Sequence, residues 1–138
     1  EGVPRLLVET HQDPQAMGLQ RIQVVKGWVD AENQLHHRVY EVAGDADWGA
    51  DYDPAGCAEP TAGADHLCAV WSDPDFDPAR PAFYYTRTLA VPTCRWSAQE
   101  CSALPEAEQP AGCDTTLVPK VVQHRAWASP IWYSPEEK

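Results

Sequence analysis

The chain has 138 residues, with 21 acidic against 10 basic side chains and a formal net charge of -11, a balance that repels phosphate backbones and anionic lipid surfaces. Nucleic acid and membrane are therefore excluded as expected partners, and the length suits one domain, residues 1–138, around a single core. No apolar run approaches the roughly 20 residues needed to span a bilayer, and Glu1-Gly2-Val3-Pro4-Arg5 has no signal-peptide character, so any targeting segment is expected upstream.

The first clear element lies at residues 19–29, where Ile22, Val24 and Trp28 alternate with Arg21 and Gln23, the period of a strand. Asp30-Ala31-Glu32-Asn33 are turn formers, and Leu35 to Val42 resumes with β-branched and aromatic residues, which predicts a hairpin. Residues 43–65 are rich in Gly, Ala, Pro and Asp and lack an apolar period, so an irregular excursion is expected there, tied down by Cys57. A short strand at Leu67 to Trp71 precedes Ser72-Asp73-Pro74-Asp75-Phe76-Asp77-Pro78, whose prolines force turns.

Between Ala82 and Val91 the residues Phe83, Tyr85, Leu89 and Val91 point one way and Tyr84, Thr86 and Thr88 the other, as in a central antiparallel strand. Trp96 to Leu104 offers one or two helical turns, with Ser97 and Glu100 spaced as a capping box. A last strand is expected at Lys120 to Ala128, followed by a segment whose Trp132 and Tyr133 need a core to cover them. Many short strands, 13 prolines and little helical periodicity predict a mainly β fold, an antiparallel β-sandwich of immunoglobulin or fibronectin type with long irregular loops.

Five cysteines, Cys57, Cys68, Cys94, Cys101 and Cys113, contain no CxxC pair, which points to disulfides over zinc and to the periplasm or the extracellular space. The odd count leaves at least one thiol free or paired outside the chain. Cys57 with Cys68 and Cys101 with Cys113 would each close a loop of about ten residues, leaving Cys94 over. Cys68 with Cys94 competes, because each lies on or beside a predicted strand, and five buried reduced thiols are a further reading.

Asp73, Asp75 and Asp77 alternate around Pro74 and Phe76, a spacing able to place three carboxylates round calcium. An EF-hand is excluded, because the positions that need glycine and glutamate hold Pro78 and Tyr84. The competing reading has these aspartates capping turns and pairing with Arg80, Arg87 or Arg95. Asp45, Asp47, Asp51 and Asp53 form a looser acidic cluster, a calcium loop or else a solvated excursion. Within it Trp48 and Tyr52 are candidate ring-stacking residues for a glycan or small-molecule ligand, or else pins that hold the loop to the sheet. The alternative function these residues offer is an independent glycan- or calcium-binding module.

His36 and His37 are adjacent in a predicted strand and so face opposite sides, while His66 and His124 stand alone in the sequence. Arg87 interrupts an apolar strand face and calls for a carboxylate partner, with Glu41 or the Asp73 to Asp77 group as candidates. No nucleophile elbow, phosphate loop or cysteine-histidine signature is present, so no catalytic residue is expected in this chain alone.

Three blocks, LQRIQVVKGW at Leu19 to Trp28, LCAVWSDPDFDPARPAFYYTRTLAVPTCRWS at Leu67 to Ser97 and RAWASPIWY at Arg125 to Tyr133, with a lead-in at Asp13-Pro14, resemble the bacterial domain of unknown function family DUF3604. The resemblance implies the C-terminal region of an exported protein whose N-terminal part is similar to metal-dependent hydrolases of the polymerase-and-histidinol-phosphatase type. The histidine-x-histidine blocks of such hydrolases are not in this chain. What the resemblance implies for these residues is an accessory β domain with no cofactor of its own, whose partner is the N-terminal domain of the same polypeptide.

Overall fold

The computed structural model describes residues 2–135. Its first layer is a five-stranded antiparallel sheet with β2 (Leu19–Val29) between β3 (Leu35–Gly44) and β5 (Ala82–Ala90). Two short strands, β8 (Arg125–Trp127) and β9 (Ile131–Tyr133), share the far edge of β5. The second layer is the antiparallel pair β1 (Arg5–His11) and β4 (His66–Ser72). A small ladder, β6 (Thr93–Cys94) with β7 (Val121–Val122), lies beside the helix α1 (Trp96–Ser102).

The core sits between the two layers. Val8 and Leu67 from the small sheet meet Leu19, Ile22, Val24, Ala82 and Tyr84 from the large one. Ile22 is 1% exposed and Val24 0%, and full burial of such side chains is worth about 1.5–3 kcal/mol each. The fold is therefore an antiparallel β-sandwich of two unequal layers with few helical turns.

The predicted hairpin forms as β2 and β3, and its turn is built by Asp30. The Asp30 carboxylate accepts the N–H groups of Glu32 and Gln34 at 3.1 and 2.7 Å, while Asn33 supplies the left-handed residue at φ 61 that asparagine tolerates better than most side chains. The register slips by one residue opposite Ile22 and Gln23, which leaves Val42 as the extra residue of a bulge in β3.

One strand is added and three expectations are corrected. β1, which the sequence reading did not single out, is a strand because Leu6, Val8 and Thr10 turn inward while Arg5, Leu7, Glu9 and His11 face solvent. On β5 the side facing the core in its first half carries Ala82 and Tyr84, not Phe83 and Tyr85, because the small sheet packs on the Tyr84 side. The last strand splits into β7 and β8. The helix forms without the Ser97–Glu100 box: Arg95 takes the cap position, with no side-chain cap bond, and donates its N–H to Lys120 O at 2.8 Å.

The disulfides are Cys57–Cys94 and Cys101–Cys113, and Cys68 is free and exposed. The expected Cys57–Cys68 bridge and its Cys68–Cys94 competitor are both overturned, for one geometric reason. Cys68 lies on the outward face of β4, opposite Glu9, whereas Cys57 belongs to a short 3-10 turn, Ala55–Cys57, that packs beside α1 and reaches Cys94 on β6.

Candidate functional site

The most deeply buried polar constellation starts from a lysine on the core face of β2. Strand alternation carries Lys26 inward between Val24 and Trp28, where its side chain is 6% exposed. Its ammonium lies 2.5 Å from Asp73 Oδ2, on a carboxylate with 0% exposure, and donates to Asp75 O at 2.8 Å. The Trp28 ring centroid is 5.2 Å from the same nitrogen, close enough for cation–π attraction.

Asp73 is satisfied on both oxygens. Oδ2 also accepts the Tyr84 hydroxyl at 2.8 Å, and Oδ1 accepts the Asp75 N–H at 2.9 Å. One step outward, Asp75 Oδ2 accepts Arg38 Nη1 at 2.6 Å and the Tyr40 hydroxyl at 2.8 Å. A cleft of about 320 Å³ opens beside the network, lined by Trp28, Arg38, Phe76, Asp77 and Arg80 among others. The pairings commit Lys26 and Asp73 to each other, which leaves neither poised as a base or a nucleophile and makes the network a structural clasp between β2, β5 and the segment after β4.

Burial, together with its bond to Asp73, raises the Tyr84 phenol above the ordinary value of 10.0, and burial with the bond to Asp75 does the same for Tyr40. A phenol whose folded-state pKa is raised contributes stability that is fully present below the unfolded value and is lost as pH rises towards the folded one. Denaturant midpoints are therefore expected to fall as pH rises through the range above about 10, with a shallower fall for Tyr84→Phe. Equal slopes for the two proteins would show that Tyr84 is not the group responsible.

The opposite face of the large sheet has a different character. Its register sets Gly27, Phe83 and Trp132 in one row and Val39, Val25 and Tyr85 in the next, with Arg87 beside Trp127 further along. A Cβ on Gly27 would come within 2.3 Å of the Phe83 ring, so glycine is what lets that ring lie against the strand. The Phe83 and Trp132 ring centroids are 5.2 Å apart, and Trp132 and Trp127 are 71% and 60% exposed. A polar strip bounds this surface. Arg87 Nε donates to Gln23 Oε1 at 2.7 Å and Gln23 Nε2 donates to Glu41 Oε1 at 2.6 Å, so the expected Arg87–Glu41 pair is bridged through Gln23. Glu41 Oε2 is 3.2 Å from Arg21 Nε.

The profile of the family described as Protein of unknown function (DUF3604) matches residues 1–135. The chain belongs to the DUF3604 family. No curated protein and no solved structure matches it.

In this DUF3604 chain the candidate residues named from sequence are dispersed. Asp73 turns inward to Lys26, Asp75 turns to Arg38 and Tyr40, and Asp77 pairs with Arg80 at 2.9 Å, so the three carboxylates are engaged separately. Asp45 and Asp53 accept backbone N–H groups of Asp47 and Ala55, as turn-capping aspartates do. Trp48 packs against the core, and the Tyr52 hydroxyl accepts the Cys94 N–H at 3.1 Å, so both aromatics fasten the loop. His36 stacks on Trp28 and reaches Asp30 at 2.6 Å, while His37 lies opposite Gly27 on the other face.

Two features were missed. Lys26 was legible as a cation inside the Ile22, Val24, Trp28 stripe. His66, read as solitary, has a cross-strand neighbour in His11, and with Glu9 these form the one group with metal-ligating spacing among the described residues.

Proposed function

We propose that this chain is a non-catalytic accessory β-sandwich of a longer DUF3604 polypeptide, docked through the aromatic outer face of its large sheet. The neighbour it packs on is the metal-dependent hydrolase domain that the sequence resemblance implies on the N-terminal side, which makes this the C-terminal region.

The observation that carries the reading is the row Gly27, Phe83, Trp132 with Tyr85, Val39 and Trp127 around it. Large aromatics in adjacent register rows, with a polar strip at the edge, have the composition of an interface centre and rim. A domain contact of this type removes the tryptophans from water without disturbing the Lys26 clasp, which faces the other way. The two disulfides suit an oxidising compartment, periplasmic or extracellular, and no helix among the described residues is long and apolar enough to cross a membrane. The alternative of an independent glycan- or calcium-binding module gains no support from Trp48 and Tyr52, whose contacts are directed inward, or from Asp73, Asp75 and Asp77, which are engaged separately.

Hydroxyl-radical footprinting of the whole encoded polypeptide and of this chain alone tests the docking face. Trp132 and Trp127 are expected to be several-fold less reactive in the whole polypeptide, with Trp96 on α1, 66% exposed, as the internal reference. Equal reactivity of Trp132 in the two samples would remove the docking reading. An upstream sequence with no histidine-rich barrel would remove the hydrolase partner.

A further inference from the structure

We propose that the outer face of the β1–β4 sheet binds a late first-row divalent metal ion, zinc in the first instance, through Glu9, His11 and His66. Topology creates the site. His11 and His66 are direct partners in the β1–β4 register, and Glu9 lies two residues before His11 on the same solvent-facing side.

The three side chains already converge. Glu9 Oε1 lies 3.2 Å from His11 Nε2 and 2.9 Å from His66 Nε2, and the ligand atoms all fall within 4.8 Å of one another. Zinc–nitrogen and zinc–oxygen bonds of about 2.0–2.1 Å in tetrahedral geometry place neighbouring ligand atoms about 3.3 Å apart. Small side-chain rotations therefore convert the present cluster into a three-ligand site, and all three residues are exposed, so the fourth position opens to water.

The donor set selects the ion. Two imidazoles and one carboxylate suit zinc, copper or nickel, whereas calcium and magnesium require more oxygen ligands than this face offers. Ligands must be deprotonated to bind, so zinc would take the place of the contacts that Glu9 Oε1 now makes with His11 Nε2 and His66 Nε2. The imidazole rings stack at 4.4 Å with 24° between their planes, which aligns both on one side of the sheet. Cys68 is exposed on the same face opposite Glu9, and the three-residue site does not require its thiol.

Isothermal titration of the disulfide-intact chain with zinc chloride, and separately with calcium and magnesium chloride, tests the site. One zinc per chain is expected, with no heat from the other two ions. His11→Ala and His66→Ala should each weaken zinc binding about 10-fold or more, since loss even of an outer-shell partner costs metal sites about 10–100-fold. His37→Ala, on the other sheet, should leave it unchanged, and Cys68→Ser should retain it. These side chains are exposed, so circular dichroism is expected to show each variant folded. Absence of zinc binding, binding that survives the double His11→Ala/His66→Ala change, or binding abolished by Cys68→Ser alone would overturn the proposal.

Discussion

Lys26→Met is expected to lower the free energy of unfolding by about 3–5 kcal/mol, the cost of stranding one member of a buried ion pair. Methionine nearly matches the length of lysine, so the packing volume of β2 is kept and the loss is electrostatic. Asp73, with its side chain 0% exposed, would then retain only the Tyr84 hydroxyl and the Asp75 N–H as partners. Total stabilities of small domains are about 5–15 kcal/mol, so the change should be conspicuous in a urea titration. Asp73→Asn should be costly for the mirror-image reason, because it leaves the Lys26 ammonium buried beside a neutral amide. The double variant should cost less than the sum of the two by about 0.5–3 kcal/mol, the range of coupling for groups in one network. A loss below about 1 kcal/mol for Lys26→Met would contradict the clasp and return Lys26 to consideration as a ligand-binding group of the adjoining cleft.

Why the clasp escaped a reading of the sequence is itself physical. The β2–β3 hairpin was legible because alternation and turn chemistry are local: Ile22, Val24 and Trp28 declare a face, and Asp30 to Asn33 declare a turn. Lys26 sits on that same face, but its meaning depends on Asp73, which only the packing of the small sheet on β2 and β5 brings within reach. The same packing decided which side of β5 is inside. Phe83 and Tyr85 are the more apolar pair, yet Tyr84 is buried because its hydroxyl has Asp73 to bond, while Phe83 lies on the face left open. His66 looked solitary for a related reason. Its partner His11 lies on β1, and strand pairing across a long sequence separation leaves no trace in local periodicity.

The cysteines carry the other large prediction. Removing the Cys57–Cys94 bridge as the double serine variant is expected to cost about 4 kcal/mol, and removing Cys101–Cys113 about 3 kcal/mol, from the chain entropy released on opening each loop. The order follows from sequence separations of 37 and 12. The first bridge closes the long excursion after β3 onto β6, where Cys94 is 3% exposed, while the second staples α1 to a short 3-10 turn, Ala111–Asp114. Loss of the first should therefore also free the excursion. Limited proteolysis is expected to cut residues 45–65 in the Cys57→Ser/Cys94→Ser protein and to spare them in the Cys101→Ser/Cys113→Ser protein. Backbone bonds between Leu19 and Ala64 hold the far end of that segment to β2, so cleavage should fall nearer Cys57 than Ala64. Alkylation of the unreduced parent chain should label one thiol, Cys68, and a peptide map that instead finds Cys94 labelled would refute this connectivity.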